Sequence, residues 1–113
     1  MVSGQARLLH HIPPPHGTIG EALTLTASSL EITDPLEATL YYRLPGSESF
    51  LEVQFIKTGF NWEATIPRFS LTEAGLEYVI TFQFSRERLN SFPEQDPFNE
   101  PHYLSAIPPK NQP

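Results

Sequence analysis

Between Gly75 and Ser85 apolar and polar positions alternate more cleanly than anywhere else in the chain. Leu76, Tyr78, Ile80, Phe82 and Phe84 share one parity, and Glu77, Thr81, Gln83 and Ser85 share the other, with Val79 the one exception. This is the pattern of a half-buried strand. Large apolar side chains on one face need an opposing apolar layer. No stretch carries a helical period of useful length, so a second sheet is expected to supply that layer.

The remaining strands follow in order. Ala6 to Ile12 predicts a first, edge strand, after which Pro13-Pro14-Pro15 holds the backbone extended without ladder donors and kinks it. Leu23, Leu25 and Ala27 alternate with Thr24, Thr26 and Ser28 in a second strand spanning Gly20 to Ser29. Leu30, Ile32 and Leu36 surround a turn at Asp34-Pro35. Ala38, Leu40, Tyr42 and Leu44 against Thr39, Tyr41 and Arg43 make a third strand that stops at Pro45-Gly46. Phe50 to Lys57 is a fourth, with Val53 and Phe55 inward; Phe50 and Ile56 fall on the other parity, which predicts a bulge. After Thr58-Gly59, Trp62, Ala64 and Ile66 alternate with Asn61, Glu63 and Thr65 in a fifth. Ser70-Leu71-Thr72-Glu73 has capping-box form and can start a single helical turn. Arg86 to Asn90 reads as the exposed hairpin end of the sixth strand, Phe92 to Pro101 as a proline-punctuated loop, and His102 to Ile107 as a closing strand.

Composition adds limits. The chain of 113 residues fits one domain. We expect a disordered end at residues 1–5, the domain at 6–107 and a linker at 108–113. Twelve prolines and eight phenylalanines suit short strands with stiff turns. A formal net charge of −6 with scattered basic residues argues against nucleic acid as a partner. The absence of cysteine excludes disulfides and thiolate chemistry. No apolar run approaches membrane-spanning length, so no membrane insertion is expected. Met1 to Arg7 lacks the form of a secretory signal. The proline-rich boundary segments favour a module of a longer, exported chain.

About seven antiparallel strands in two sheets without helix describe an immunoglobulin-like sandwich. Leu71-Thr72-Glu73-Ala74-Gly75-Leu76-Glu77-Tyr78 resembles the tyrosine corner of fibronectin type III and related domains. That resemblance implies that the Tyr78 hydroxyl bonds back to the preceding corner. Across residues 8 to 107 the order of Pro-Pro, Gly-Glu, Leu-Tyr-Tyr-Arg, Pro-Gly, Trp-Glu-Ala-Thr-Ile-Pro and Gly-Leu-Glu-Tyr is similar to immunoglobulin-like modules of large bacterial exported and cell-surface proteins. The chain departs from antibody domains in having no cysteine pair and in carrying its only tryptophan, Trp62, on the fifth strand, where parity places it in the core.

Candidate chemistry is sparse. His10, His11, His16 and His102 are metal-ligand types, but adjacent histidines on a strand face opposite ways, so solvated edge histidines are expected. Glu94, Asp96, Asn99 and Glu100 offer calcium-type oxygens without calcium-loop spacing. No catalytic motif is present, and we expect neither an enzyme nor a cofactor. Tyr41, with its ring facing away from the apolar side of its strand, and the loop residues Phe60, Phe92 and Phe98 are the candidate ligand-binding aromatics. The expected function is a non-catalytic structural or protein-interaction module of a cell-surface, secreted or periplasmic protein, whose partners are other proteins or neighbouring domains. The alternatives are a carbohydrate-binding accessory domain with a glycan partner, and an assembly subunit that pairs through an edge strand.

Overall fold

The strand with the cleanest alternation is also the one most enclosed by neighbours. In chain order the computed structural model contains β1 (Leu9–His10), β2 (Gly17–Thr18), β3 (Leu23–Ser29), β4 (Glu37–Arg43), β5 (Leu51–Gln54), β6 (Ile56–Thr58), β7 (Asn61–Ile66), β8 (Leu76–Gln83), β9 (Leu89–Phe92), β10 (His102–Leu104) and β11 (Ala106–Ile107). It describes residues 8–30 and 33–110. The expectations for residues 1–5, for Ala6 and Arg7 of the first strand, for Ile32 and for the end of the linker at 111–113 lie outside the described residues.

The architecture is all-β and sandwich-like, with no α-helix among the described residues. One antiparallel sheet runs β1-β3-β7-β6; the other runs β10-β8-β4-β5, with β9 also on β8. Leu25, Ala27, Ala64 and Ile66 from the first sheet and Leu40, Tyr42, Leu76, Tyr78, Ile80 and Phe82 from the second share one core. Trp62 is half-buried against that core, its ring 6.0 Å from Phe82. A short parallel ladder joins β2 to β11, with Ala106 opposite Gly17 and Ile107 opposite Thr18.

Several expectations are corrected. The first strand keeps only two ladder residues, because Pro13 to Pro15 carry no donors and take the chain off β3 toward β11. The fourth strand changes sheet where a bulge was expected. Phe55 donates its N–H to Ala38 O at 2.9 Å and buries its ring on Phe82, after which β6 pairs with β7. Val53 and Phe55 do point inward, half-buried and buried respectively, and the change of sheet explains why Ile56 is exposed. The capping box starts no helix: the single 3-10 turn, Arg68–Ser70, ends at Ser70. The segment around Phe92, expected as loop, opens with β9, which extends β8 on the edge that β10 occupies lower down. The closing strand is divided into β10 and β11.

Val79, out of place in the alternation, is fully buried on the outer face of its sheet. It lies opposite Tyr41, and residues 93–101 fold back so that Phe98 packs edge-on against Tyr41, with 5.0 Å between ring centroids. The exception in the pattern marks a strand covered on both faces.

Gly75 turns the corner into β8 at φ 84. A Cβ there would stand 2.5 Å from Tyr103 Oη and 2.7 Å from Leu104 O. Gly46 has a similar φ of 87 and open space around it. Gly75→Ala is therefore expected to lower the unfolding free energy by at least about 2 kcal/mol, and Gly46→Ala by about 1 kcal/mol. Urea denaturation of the two variants measures the contrast, and equal losses would contradict the crowding at Gly75.

Candidate functional site

Alternation places His10 outward from β1 and turns His11, two residues beyond the buried Leu9, into the gap between the sheets. There His11 Nδ1 lies 2.8 Å from Thr26 O of β3, and Nε2 lies 2.7 Å from Tyr78 Oη of β8. A carbonyl only accepts, so Nδ1 carries the hydrogen, Nε2 accepts, and the Tyr78 hydroxyl donates. One neutral imidazole thus links the two sheets. Burial is the main reason the His11 pKa lies below its ordinary value; the Thr26 bond opposes the shift, and the nearby His102 and His10 add to it. Burial also lowers His102 and raises the Tyr78 phenol.

Two further rings close around this bond. Phe92 packs edge-on against His11 at 4.9 Å, His102 edge-on against Tyr78 at 5.2 Å, and Phe92 meets His102 at 5.4 Å. Beside the cluster a groove of about 540 Å³ runs between β1 and β9, bordered by His10, Asn90, Ser91 and Glu94. Asn90 Oδ1 accepts from the Leu8 N–H at 2.7 Å and ties the two strands together across the groove.

The expected tyrosine corner is therefore corrected. The Tyr78 hydroxyl bonds across to His11 rather than back to residues 71–77. The corner is tied instead by Tyr103, whose hydroxyl donates to Ala74 O at 3.1 Å. His11 and His102 also depart from the solvated edge expected of them, whereas His10 and His16 are exposed. The inward placement of His11 was legible from its parity with Leu9. Tyr103 carried no comparable signal, because it reaches the corner across the sheet.

The four candidate ligand aromatics do not form one surface. Tyr41 and Phe98 come together, and Phe50 joins them at 5.5 Å from Phe98, with the Arg43 guanidinium 4.3 Å over the Phe50 ring. Arg43 also pairs with Glu77 at 2.9 Å. These rings stand edge-on to one another, so their faces do not line up as a flat stacking platform. Phe92 belongs to the His11 cluster. Phe60 is alone on the β6–β7 turn and 95% exposed. Of the loop acids, Asp96 accepts from the Asn99 side chain at 2.9 Å and, through its carbonyl, from the Asn99 and Glu100 N–H groups. Among the described residues no group of three or more His, Asp or Glu side chains is placed to hold a metal ion.

A second hollow, about 310 Å³ and more apolar, opens among Leu44, Leu51, Phe69 and Leu76. Phe69, Leu51 and Leu44 are exposed there. No protein-family profile matches the chain, and no curated protein matches it by sequence.

Tyr78→Phe keeps the ring and deletes the donor, leaving His11 Nε2 unmet in a partly buried position. The expected loss is about 1–3 kcal/mol of unfolding free energy near neutral pH, read by urea denaturation. A loss indistinguishable from zero would show that the bond does not hold the sheets.

Proposed function

We propose that the chain is a non-catalytic immunoglobulin-like module of a larger cell-surface, secreted or periplasmic protein, acting as a spacer and docking surface for neighbouring domains or protein partners. The strand order carries the reading. β1-β3-β7-β6 against β10-β8-β4-β5 supports it, because that order fits A-B-E-D against G-F-C-C′ of an immunoglobulin-like sandwich. The parallel ladder fits the same scheme as the second half of a first strand divided between the two sheets, which the three prolines bring about. The interrupted last strand, β9 then β10, and Trp62 on β7 depart from that scheme.

The placement of apolar surface supports a linear arrangement. Leu8 bonds to Leu30 at one end of the sandwich, whereas Ile107 lies by Thr18 and Ile19 near the Leu71 corner at the other. Large exposed apolar side chains gather at both ends: Leu30, Leu36 and Phe60 where the described chain enters, and Leu44, Leu51 and Phe69 where it leaves. Such groups scattered singly need no explanation; grouped at the ends they fit contacts with adjoining domains. The turns at Asp34-Pro35 and Pro45-Gly46 belong to opposite ends as well, and both are braced, by the 2.9 Å Lys57–Asp34 pair and by Ser47 N–H donating to Leu44 O. Rigid presentation of such turns is the mechanism the module offers. No helix of the described chain is long and apolar enough to cross a membrane.

A photo-cross-linking residue placed at Phe60 or at Phe69 of the native protein in living cells tests the reading. Adducts with a neighbouring domain or partner, recovered from the cell surface, medium or periplasm, are expected from both positions. Protein found only in the cytosol, or the absence of adducts at both ends, would overturn it.

A further inference from the structure

His11 fastens a short edge strand of the sandwich to a strand paired along both sides. β1 contributes two residues to the ladder on β3, helped by the Leu30 N–H donating to Leu8 O and the Leu8 N–H donating to Asn90 Oδ1, each at 2.7 Å, and by the buried Leu9, and the prolines that follow offer no donors. β8 is paired along both sides, by β4 on one and by β9 and β10 on the other. The side chain joining them can titrate near neutrality. Facing it are the Thr26 carbonyl from β3, Tyr78 from β8, Phe92 from β9 and His102 from β10, with His10 adjacent on its own strand and Glu94 on the border of the groove. Among the described residues no carboxylate bonds to the ring, and the charges that act on it are those of two other imidazoles.

We propose that His11 is an acid-operated latch: a proton taken up at Nε2 breaks the bond from Tyr78 and frees β1 from β3 and β9, while the remaining sandwich stays folded. Nδ1 already carries its hydrogen toward Thr26, so the added proton goes to Nε2 and points at the phenol oxygen. The phenol can then only accept. Its own hydrogen loses its one acceptor among the described residues, in a partly buried site. Among the described residues no carboxylate bonds to the cationic ring, and the neighbouring His102 lies within reach of its charge. Freeing β1 moves the imidazolium into water, bares the Ser28–Ser29 edge of β3 and removes one wall of the groove. That edge is an acceptor for another extended strand.

The sign follows from burial. The closed latch holds the His11 pKa below the value near 6.5 of a solvated imidazole. The opened form therefore binds the proton first. Closure is at full strength above that value and is lost as the pH falls from it through the lower pKa of the closed form.

Hydrogen exchange, expressed as protection factors so that intrinsic rates cancel, reads the opening of each strand separately. Between about pH 7.5 and about pH 5, protection in β1 and at the β3 edge is expected to fall by roughly tenfold for each unit by which closure lowers the imidazole pKa, while β8 keeps its protection. His11→Gln retains a polar amide without a titrating group and is expected to show no such fall; His102→Gln is expected to retain it. The NMR titration midpoint of the His11 ring is expected to coincide with the opening. Constant β1 protection in the wild type, an equal fall in His11→Gln, loss of the fall in His102→Gln, or a ring midpoint apart from the opening would each overturn the proposal. The wild-type series and the ring titration decide the matter even if the glutamine variants fail to fold.

Discussion

A phenol hydroxyl set in the middle of an apolar strand face is the constraint on which the rest depends. Tyr78 brings a large ring to the core together with a polar group whose burial without a partner costs about 1–3 kcal/mol. β8 is interior to its sheet, so the backbone groups beside it are already taken up by β4, β9 and β10. The partner has to come from the opposing sheet, and His11 supplies it across the side where β1 meets β9. This also settles the register of β1. A slip of one residue would turn Leu9 outward and put His10 where His11 should be. A two-residue strand too short to specify itself by its ladder is specified by one side chain.

The two lateral gaps between the sheets are bridged in different ways. On one side three prolines strip the chain of donors, so that it leaves β3 and resumes hydrogen bonding beside β11. On the other side Phe55 anchors the crossing from β5 to β6, its ring in the core and its N–H still on Ala38 O. In both places one long strand becomes two short ones. Short edges offer little ladder for unintended pairing between molecules, so the crossings limit aggregation as well as covering the core.

Strands β3, β4, β7 and β8 were legible because each buries one parity against the opposite sheet and turns most of the other outward. What was not legible depended on neighbours distant in sequence. The change of sheet at Phe55 looks, along the chain, like the one-residue phase slip of a bulge. Leu89-Asn90-Ser91-Phe92 is too short and too polar to announce β9, yet its parity is consistent in space: Phe92 and Asn90 face the gap between the sheets, whereas Leu89 is exposed. The tyrosine of the corner motif was identified, but its hydroxyl partner was misplaced because His11 lies 67 positions away. Of the candidate aromatics, parity brought Tyr41 to the outer face correctly; that Phe98 would fold onto it required knowing where the 93–101 loop returns to β8.

That loop makes the sandwich unequal from side to side. Val79, Thr39 and Thr81 are buried on a face that alternation assigns to solvent, so the β4–β8 pair is packed from both directions. β1, by contrast, has one short ladder, a backbone bond to Leu30, the Leu8 bond to Asn90, one buried leucine and one imidazole. Local opening favours segments with little buried area and few bonds, and the contrast between β1 and β8 is the one on which the proposed latch rests. A neighbour docked on the β4–β8 side would find a rigid surface. A strand approaching the β1 side would compete with a two-residue ladder, two bonds at Leu8 and the His11–Tyr78 bond.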